Sequence, residues 1–168
     1  MRRSGILMHI TSLPGPGGIG TLGAEAYAFA DFLKASGMSL WQVLPCGPTG
    51  YGESPYQSSS VYAGNPLMIS AQKLADEGLL TLEPEDLAQD ADLARVDFDR
   101  VRARNRAMLH RAFRQSGERL RPQVEAFAKE NAWLTDFALF TALKERFGNR
   151  AWAEWPDQEL RLRKKAAL

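Results

Sequence analysis

Gly5-Ile6-Leu7-Met8-His9-Ile10 and Leu40-Trp41-Gln42-Val43-Leu44-Pro45 are the two stretches that decide the fold. Each is a short, nearly continuous apolar run, the pattern of a strand buried on both faces. Between them, Thr11 to Gly23 carries Pro14, Pro16 and five glycines, and reads as a loop. From Ala24 to Ser36, residues Ala26, Phe29, Ala30 and Leu33 recur at helical spacing, and Gly37 stands where a helix C-cap belongs. Strand, helix and strand in that order predict a βαβ unit, with a parallel pair and a right-handed crossover.

Beyond Pro45, the residues Cys46 to Asn65 form a long loop rich in Gly, Pro, Ser and Tyr, a kind that often carries function. The chain then changes character. Residues 1–70 hold 11 of the 14 glycines and 6 of the 9 prolines, and their only charges are Arg2, Arg3, Lys34, Glu25, Asp31 and Glu53. Residues 71–168 are charge-dense and poor in breakers, which predicts amphipathic helices. The spacing predicts a short helix over 68–77 ended by Gly78, a weak helical stretch opening at Glu83, and a helix over 97–115. That last helix sets Val101, Met108, Leu109, Ala112 and Phe113 on one side and an Arg-rich face opposite. Residues 121–147 are again helical, with an interruption near Asn131. Trp133, Phe137, Phe140 and Phe147 are spaced for core packing on one face.

Composition narrows the function. With 21 basic against 20 acidic residues, a net charge of +1 gives no electrostatic case for nucleic-acid binding. At 45% hydrophobic and 24% charged, the chain is globular and not disordered along its length. A single cysteine and two histidines exclude an internal disulfide and Cys/His-rich zinc chemistry, so no metal site is expected. The first apolar run is too short for a signal-peptide core or a membrane span, so a cytoplasmic protein without a membrane partner is expected. Two parallel strands cannot stand alone, and about a hundred residues after Pro45 offer no further strand. The sheet reads as unfinished, and the chain as the N-terminal part of a longer protein.

Gly15-Pro16-Gly17-Gly18-Ile19-Gly20 matches a nucleotide-binding pattern literally. Four residues separate it from the strand, Pro16 removes an N–H donor, and the second strand ends in Pro45-Cys46 without a ribose-binding acid. A tight glycine turn is the better account. Gly47-Pro-Thr-Gly-Tyr51-Gly-Glu53-Ser54-Pro-Tyr56-Gln57-Ser58 is more informative. It follows the C-terminal end of a parallel strand, the edge where ligands bind in barrels and open α/β sheets. A tyrosine there offers an apolar face and a hydroxyl, which suits a sugar, and Ser54 and Gln57 add hydrogen-bonding groups. The tyrosines either pack inward and stiffen the loop or stand free for a ligand. Glu53 is the loop's only acid, without a paired carboxylate for glycoside chemistry, and reads as solvated. His9 reads as a hydrogen-bonded structural histidine, His110 as solvated, and Cys46 as a small buried residue.

Several pieces together resemble one family. Gly5 to Pro14, Gly18-Ile-Gly20, Trp41-Gln-Val-Leu-Pro45, Gly47-Pro-Thr49, Ser54-Pro-Tyr-Gln-Ser58 and Ala63-Gly-Asn-Pro-Leu67 look like the N-terminus of 4-α-glucanotransferases, the amylomaltases or disproportionating enzymes. Trp133 to Lys144, Trp152 and Trp155-Pro156 extend the resemblance over essentially the whole chain. It implies an α/β fold, a (β/α)8 TIM barrel whose strands one and two lie in residues 5–10 and 40–45. Residues 1–66 would form the first βαβ unit with its substrate loop, and residues 67–168 a mainly helical insertion subdomain. A barrel of that kind needs roughly 250 residues, so this chain would leave it incomplete.

The same resemblance implies transfer of α-1,4-glucan segments between maltodextrins by a retaining double displacement, without cofactor. The nucleophilic aspartate, the acid–base glutamate and the stabilising aspartate of such enzymes lie C-terminal to the matched region. No residue of this chain is then catalytic, and the chain alone is expected to be inactive. Substrate binding carries over. Tyr56 resembles the tyrosine lining the donor sugar beside the scissile bond, with Ser54 as a nearby polar contact. Tyr51 resembles a tyrosine of a secondary glucan groove, and Phe98 falls where related sequences often place that groove's second aromatic. A non-catalytic glucan-binding or interaction module is the alternative.

Overall fold

The computed structural model describes residues 2–89 and 94–164. The parallel pair is there. Strand β1 (Gly5–Leu7) pairs with β2 (Leu40–Gln42) in the register Gly5 to Leu40, Ile6 to Trp41 and Leu7 to Gln42. Helix α1 (Ala24–Ala35) connects them. It ends as the sequence predicts, with Gly37 in the left-handed region at φ +71 and its N–H bonded to the Lys34 carbonyl. Gly5 is required by the pairing itself, because a Cβ there would run into the Leu40 carbonyl.

Both strands are shorter than the apolar runs that announce them. Each keeps only the residues that face its partner, and from Ile10 the chain turns into a single 3-10 turn, Ile10–Ser12. Nor are the strands buried on both faces: Leu7 and Leu40 stay exposed. One face is covered where the Phe29 ring of α1 meets Trp41 edge-on at 4.9 Å. The Trp41 indole N–H donates to the Met8 carbonyl across the pair at 2.7 Å. Among the described residues nothing adds a third strand, so the apolar content of the two runs exceeds what this sheet covers.

The core lies instead between the loops and a long helix. Helix α2 (Ala71–Asp76) is capped by the Ser70 hydroxyl, which accepts from the Lys73 N–H. Helix α3 runs from Phe98 to Glu130. Its residues Val101, Met108, Ala112 and Ser116 are buried at helical spacing. Val101, only 2% exposed, packs with Ile19 and Leu67, and its burial stabilises the fold by roughly 1.5–3 kcal/mol. Met108 and Ala112 pack with Ala71 and Leu80. Phe113 is not on this face; it is exposed, with its ring across Gly117. The break expected between residues 115 and 121 is absent. The interruption near Asn131 is present, before α4 (Trp133–Arg146).

Pro122 falls inside α3, and there the chain divides into two compact units, residues 1–121 and 122–168. The Ile19–Leu67–Val101 cluster joins residues on both sides of position 66, the boundary that the family resemblance implies for an insertion subdomain. In the second unit Trp155 is buried, 6.0 Å from the Phe140 ring and 5.4 Å from Phe147. Trp133 lies 6.1 Å from Phe137. The aromatic face thus packs ring on ring, but no residue of α4 is fully buried. Short helix α5 (Gln158–Arg161) follows, capped by Asp157.

Candidate glucan-binding loop

The chain leaves β2 at Gln42 and returns at Asn65, whose N–H bonds to the Cys46 carbonyl at 2.8 Å. The loop so closed is braced from within, as compact surface loops are. Ser54 Oγ accepts from the Tyr56 N–H, and the Gln57 N–H bonds to the Ser54 carbonyl at 3.1 Å. Ser58 Oγ donates to the Ser60 carbonyl at 2.7 Å. Ser60 Oγ in turn accepts from the Tyr62 and Ala63 N–H groups. Gly50 is needed for close approach, since a Cβ there would sit 2.6 Å from the Gln57 carbonyl oxygen. Ser54, which the sequence offers as a hydrogen-bonding group for a sugar, is thus engaged, like Ser58 and Ser60, in holding the loop's own backbone.

Tyr56 stands on this frame with 73% of its surface exposed. Of the two alternatives, packing inward is therefore excluded for Tyr56. Ser54 sits beside it, half-buried. Tyr51 opens a tight 3-10 turn, Tyr51–Glu53. Phe98, the first residue of α3, is half-buried against the Ile19–Leu67–Val101 cluster and lines a cavity of about 760 Å3 with Thr11 to Gly15, Arg95 and Val96. A second, more apolar cavity of about 840 Å3 runs along α1 and the 64–77 segment, past Tyr27, Trp41 and Met68. Neither of these two cavities is lined by Ser54 or Tyr56.

Glu53 is not solvated. Its carboxylate accepts from the Thr49 hydroxyl at 2.8 Å and forms an ion pair with Arg102 of α3. Arg102 also donates to Thr49 Oγ1 at 3.3 Å. Glu53 holds φ at +58, a left-handed conformation that a residue with a Cβ seldom adopts. Arg102 lies one helical turn beyond Phe98, so the ion pair ties the Tyr51–Glu53 turn to the stretch of α3 that begins with Phe98. Sequence reasoning passed over Arg102 and Thr49. The available signal was a lone acid in an otherwise uncharged loop, followed by a helix with many arginines.

That arginine face is a clamp more than a solvated surface. Arg111 bonds both carboxylate oxygens of buried Asp86, at 2.5 and 2.6 Å, and this pairing raises the Arg111 pKa above its ordinary value. Arg104 donates to the Ala88 carbonyl, Asn105 to Pro66, and Arg119 to Glu77 and Gly78. Lys73 reaches the Tyr27 hydroxyl at 3.2 Å, which raises its pKa. His9 differs from expectation: its Nδ1 is buried without a hydrogen-bond partner, and desolvation lowers its pKa. Cys46 is half-buried, its Sγ 3.4 Å from the Leu44 carbonyl. His110 is exposed, as expected. Among the described residues no cluster of His, Cys, Asp and Glu has the make-up of a metal site, and no helix is long and apolar enough to cross a membrane.

Residues 8–168 match the family described as 4-alpha-glucanotransferase. The chain is 48% identical over 172 residues to a 4-alpha-glucanotransferase of Thermus thermophilus, covering 99% of this chain and 33% of that protein. It is 45% identical over 174 residues to one from Streptococcus pneumoniae, with 99% and 34% covered. Among solved structures, an amylomaltase from Streptococcus agalactiae in complex with acarbose superposes with a TM-score of 0.91 at 41% identity, over 99% of this chain and 34% of that one. The chain therefore spans about a third of the length of the relatives it matches. With the family profile matched from Met8 onward and relatives this similar along its whole length, the chain belongs to the 4-alpha-glucanotransferase family.

Proposed function

We propose that this chain supplies the donor-side sugar platform of an enzyme that moves α-1,4-glucan segments from one maltodextrin to the 4-hydroxyl of another. The observation that carries this is Tyr56, exposed on a self-braced loop beyond the C-terminal end of a parallel strand. Its ring offers a flat apolar face to the C–H face of a glucose unit, and Ser54 offers a hydroxyl beside it. The phenol adds a polar edge for a sugar hydroxyl. Tyr51 and Phe98 would serve a second stretch of glucan farther along. Phe98 brings an apolar ring without a hydroxyl to that task.

The chemistry is a retaining double displacement. A carboxylate attacks the anomeric carbon as a protonated carboxyl gives its proton to the departing 4-oxygen, and the acceptor's 4-hydroxyl then reverses both steps. These carboxylates belong to the two-thirds of the relatives' length that this chain does not span. What residues 1–168 add is orientation: a sugar stacked on a fixed ring enters the reaction with less entropy to lose. In the same reading β1 and β2 are the first two strands of a (β/α)8 barrel, residues 1–66 its first βαβ unit, and residues 67–168 a helical insertion. The enzyme is cytoplasmic and takes no cofactor.

In the full-length protein, Tyr56→Ala is expected to lower kcat/KM for maltotriose disproportionation roughly 10–100-fold, measured by glucose release. An unchanged kcat/KM removes Tyr56 from the site. The same exposed Tyr56 also fits a second reading, a non-catalytic glucan-binding or interaction module. Both readings expect the 168-residue chain alone to release no glucose from maltotriose. Release by the purified chain would overturn the assignment of catalysis to residues outside it.

A further inference from the structure

The Tyr51–Glu53 turn contains two consecutive left-handed residues, Gly52 at φ +67 and Glu53 at φ +58. Glycine accepts that conformation freely, whereas glutamate persists there only when its surroundings hold it. What holds Glu53 is visible. Its carboxylate takes the Thr49 hydroxyl from within the loop and the Arg102 guanidinium from α3. The same Arg102 nitrogen also bonds Thr49 Oγ1, so one cation closes a three-membered network. The Arg102 and Glu53 side chains are 40% and 24% exposed, so the pair is neither buried structural cement nor an idle surface contact.

Tyr56 lies three residues beyond this point. Between Glu53 and Tyr56 the chain has one bracing unit, the Ser54 turn, in which Ser54 Oγ and the Ser54 carbonyl receive the Tyr56 and Gln57 N–H groups. The direction in which that turn leaves Glu53 is set by the Glu53 backbone angles. We propose that Arg102 is a positioning residue for the glucan-binding loop: it latches Glu53 from α3 and so fixes the direction in which Tyr56 is presented. The inference rests on the proposed glucan-binding role of the loop. The latch itself is a property of the free chain.

The test is amide hydrogen exchange by NMR on the 168-residue chain, with and without maltoheptaose. The reporters are the Glu53 and Gln57 amides, which bond to the Gly50 and Ser54 carbonyls. The Leu67 and Met68 amides, bonded at Asn65, serve as the internal reference. In Arg102→Met the two reporter amides are expected to exchange about two- to fivefold faster, the range set by losing a partly exposed ion pair, with the reference unchanged. Thr49→Val, which deletes one hydroxyl and leaves both charges, should give a smaller change in the same direction. The double variant Glu53→Arg with Arg102→Glu should bring the rates back toward those of the parent. Unchanged reporter rates in Arg102→Met overturn the latch, and so does a reference that speeds up equally. Maltoheptaose should slow the reporters in the parent and do so less in Arg102→Met. A latch seen without any maltoheptaose effect in the parent leaves the latch standing and removes the glucan role of the loop.

Discussion

Two ion pairs fasten loops to the same helix, and they differ in burial. Arg111 and Asp86 leave 16% and 1% of their side chains exposed; Arg102 and Glu53 leave 40% and 24%. Asp86 is built in on every side. It takes two bonds from Arg111, caps the Glu83 N–H at 2.8 Å, and its backbone carbonyl lies near Gly17. Glu53 has one cation and one hydroxyl, and its side chain stays partly exposed. The first pair has the burial of a structural fastening, whereas the second has that of an adjustable one. What differs is solvation, since a buried charge stripped of its partner cannot turn to water while a half-exposed one can.

Removing the acid from each pair should separate them most. Asp86→Ala leaves Arg111 without its main partner and frees the Glu83 N–H, and is expected to cost about 3 kcal/mol of folding stability in a urea titration. Glu53→Ala should cost less than about 1 kcal/mol in the same measurement. Equal losses would break the comparison. Next in size is Gly17→Ala. Gly17 holds φ at +82, and an added Cβ would lie 3.1 Å from the Asp86 carbonyl oxygen. About 1–2 kcal/mol is expected from the left-handed backbone alone, with crowding of the Asp86 segment in addition. A neutral result would mean that the segment around Asp86 yields more readily than its buried ion pair implies.

Sequence alone reached the parallel pair, α1 and its glycine stop, because continuous apolar runs and a 3.6-residue repeat are local signals. It also pointed to the loop that carries Tyr56, since glycine-rich sequence after a parallel strand points to a ligand edge, but it left open whether the loop's tyrosines pack inward or stand free. The Val101–Met108–Ala112 face was legible for the same reason, although Phe113 was placed on it wrongly. A helix position about 100° away is easily absorbed into a broad apolar stripe. Strand ends were not legible, because a run of apolar residues does not say how many will find a partner. Nor was the clamp. Arginines on a helix look alike in sequence whether they meet water, a carbonyl such as that of Ala88, or an aspartate that caps a turn 25 residues away. The continuity of α3 past Gly117 was also missed, since one glycine costs only about 1 kcal/mol, which packing elsewhere along a helix offsets.

Salt sharpens the comparison by a smaller amount. At about 1 M ionic strength the screening length falls to about 3 Å, which weakens exposed pairs and spares buried ones. A double-mutant cycle on Arg102 and Glu53 is expected to give a coupling of about 0.5 kcal/mol at low salt that falls toward zero at about 1 M. The cycle on Arg111 and Asp86 should change little. A salt-sensitive Arg111–Asp86 coupling would show that water reaches the Asp86 site and would remove the distinction drawn from burial.

The smallest expected effect extends the argument from paired charges to an unpaired one. His9 is partly buried, its Nδ1 has no hydrogen-bond partner, and desolvation lowers its pKa from the ordinary value near 6.5. In the interval between the lowered folded pKa and about 6.5, the unfolded chain binds more protons at this site than the folded one, so stability there rises with pH. The contribution of His9 is complete above about pH 6.5 and declines as the pH falls through that value. The ring is only partly covered, so the loss is less than about 1 kcal/mol. Urea midpoints at about pH 7.5 and 5.5 for the parent and His9→Gln isolate it, because glutamine carries no proton equilibrium and every other titrating group is common to both proteins. The parent should lose more stability than His9→Gln on acidification. If the variant loses as much, a partner or water satisfies the charged ring in the folded state, and burial without a partner then has no penalty at this position.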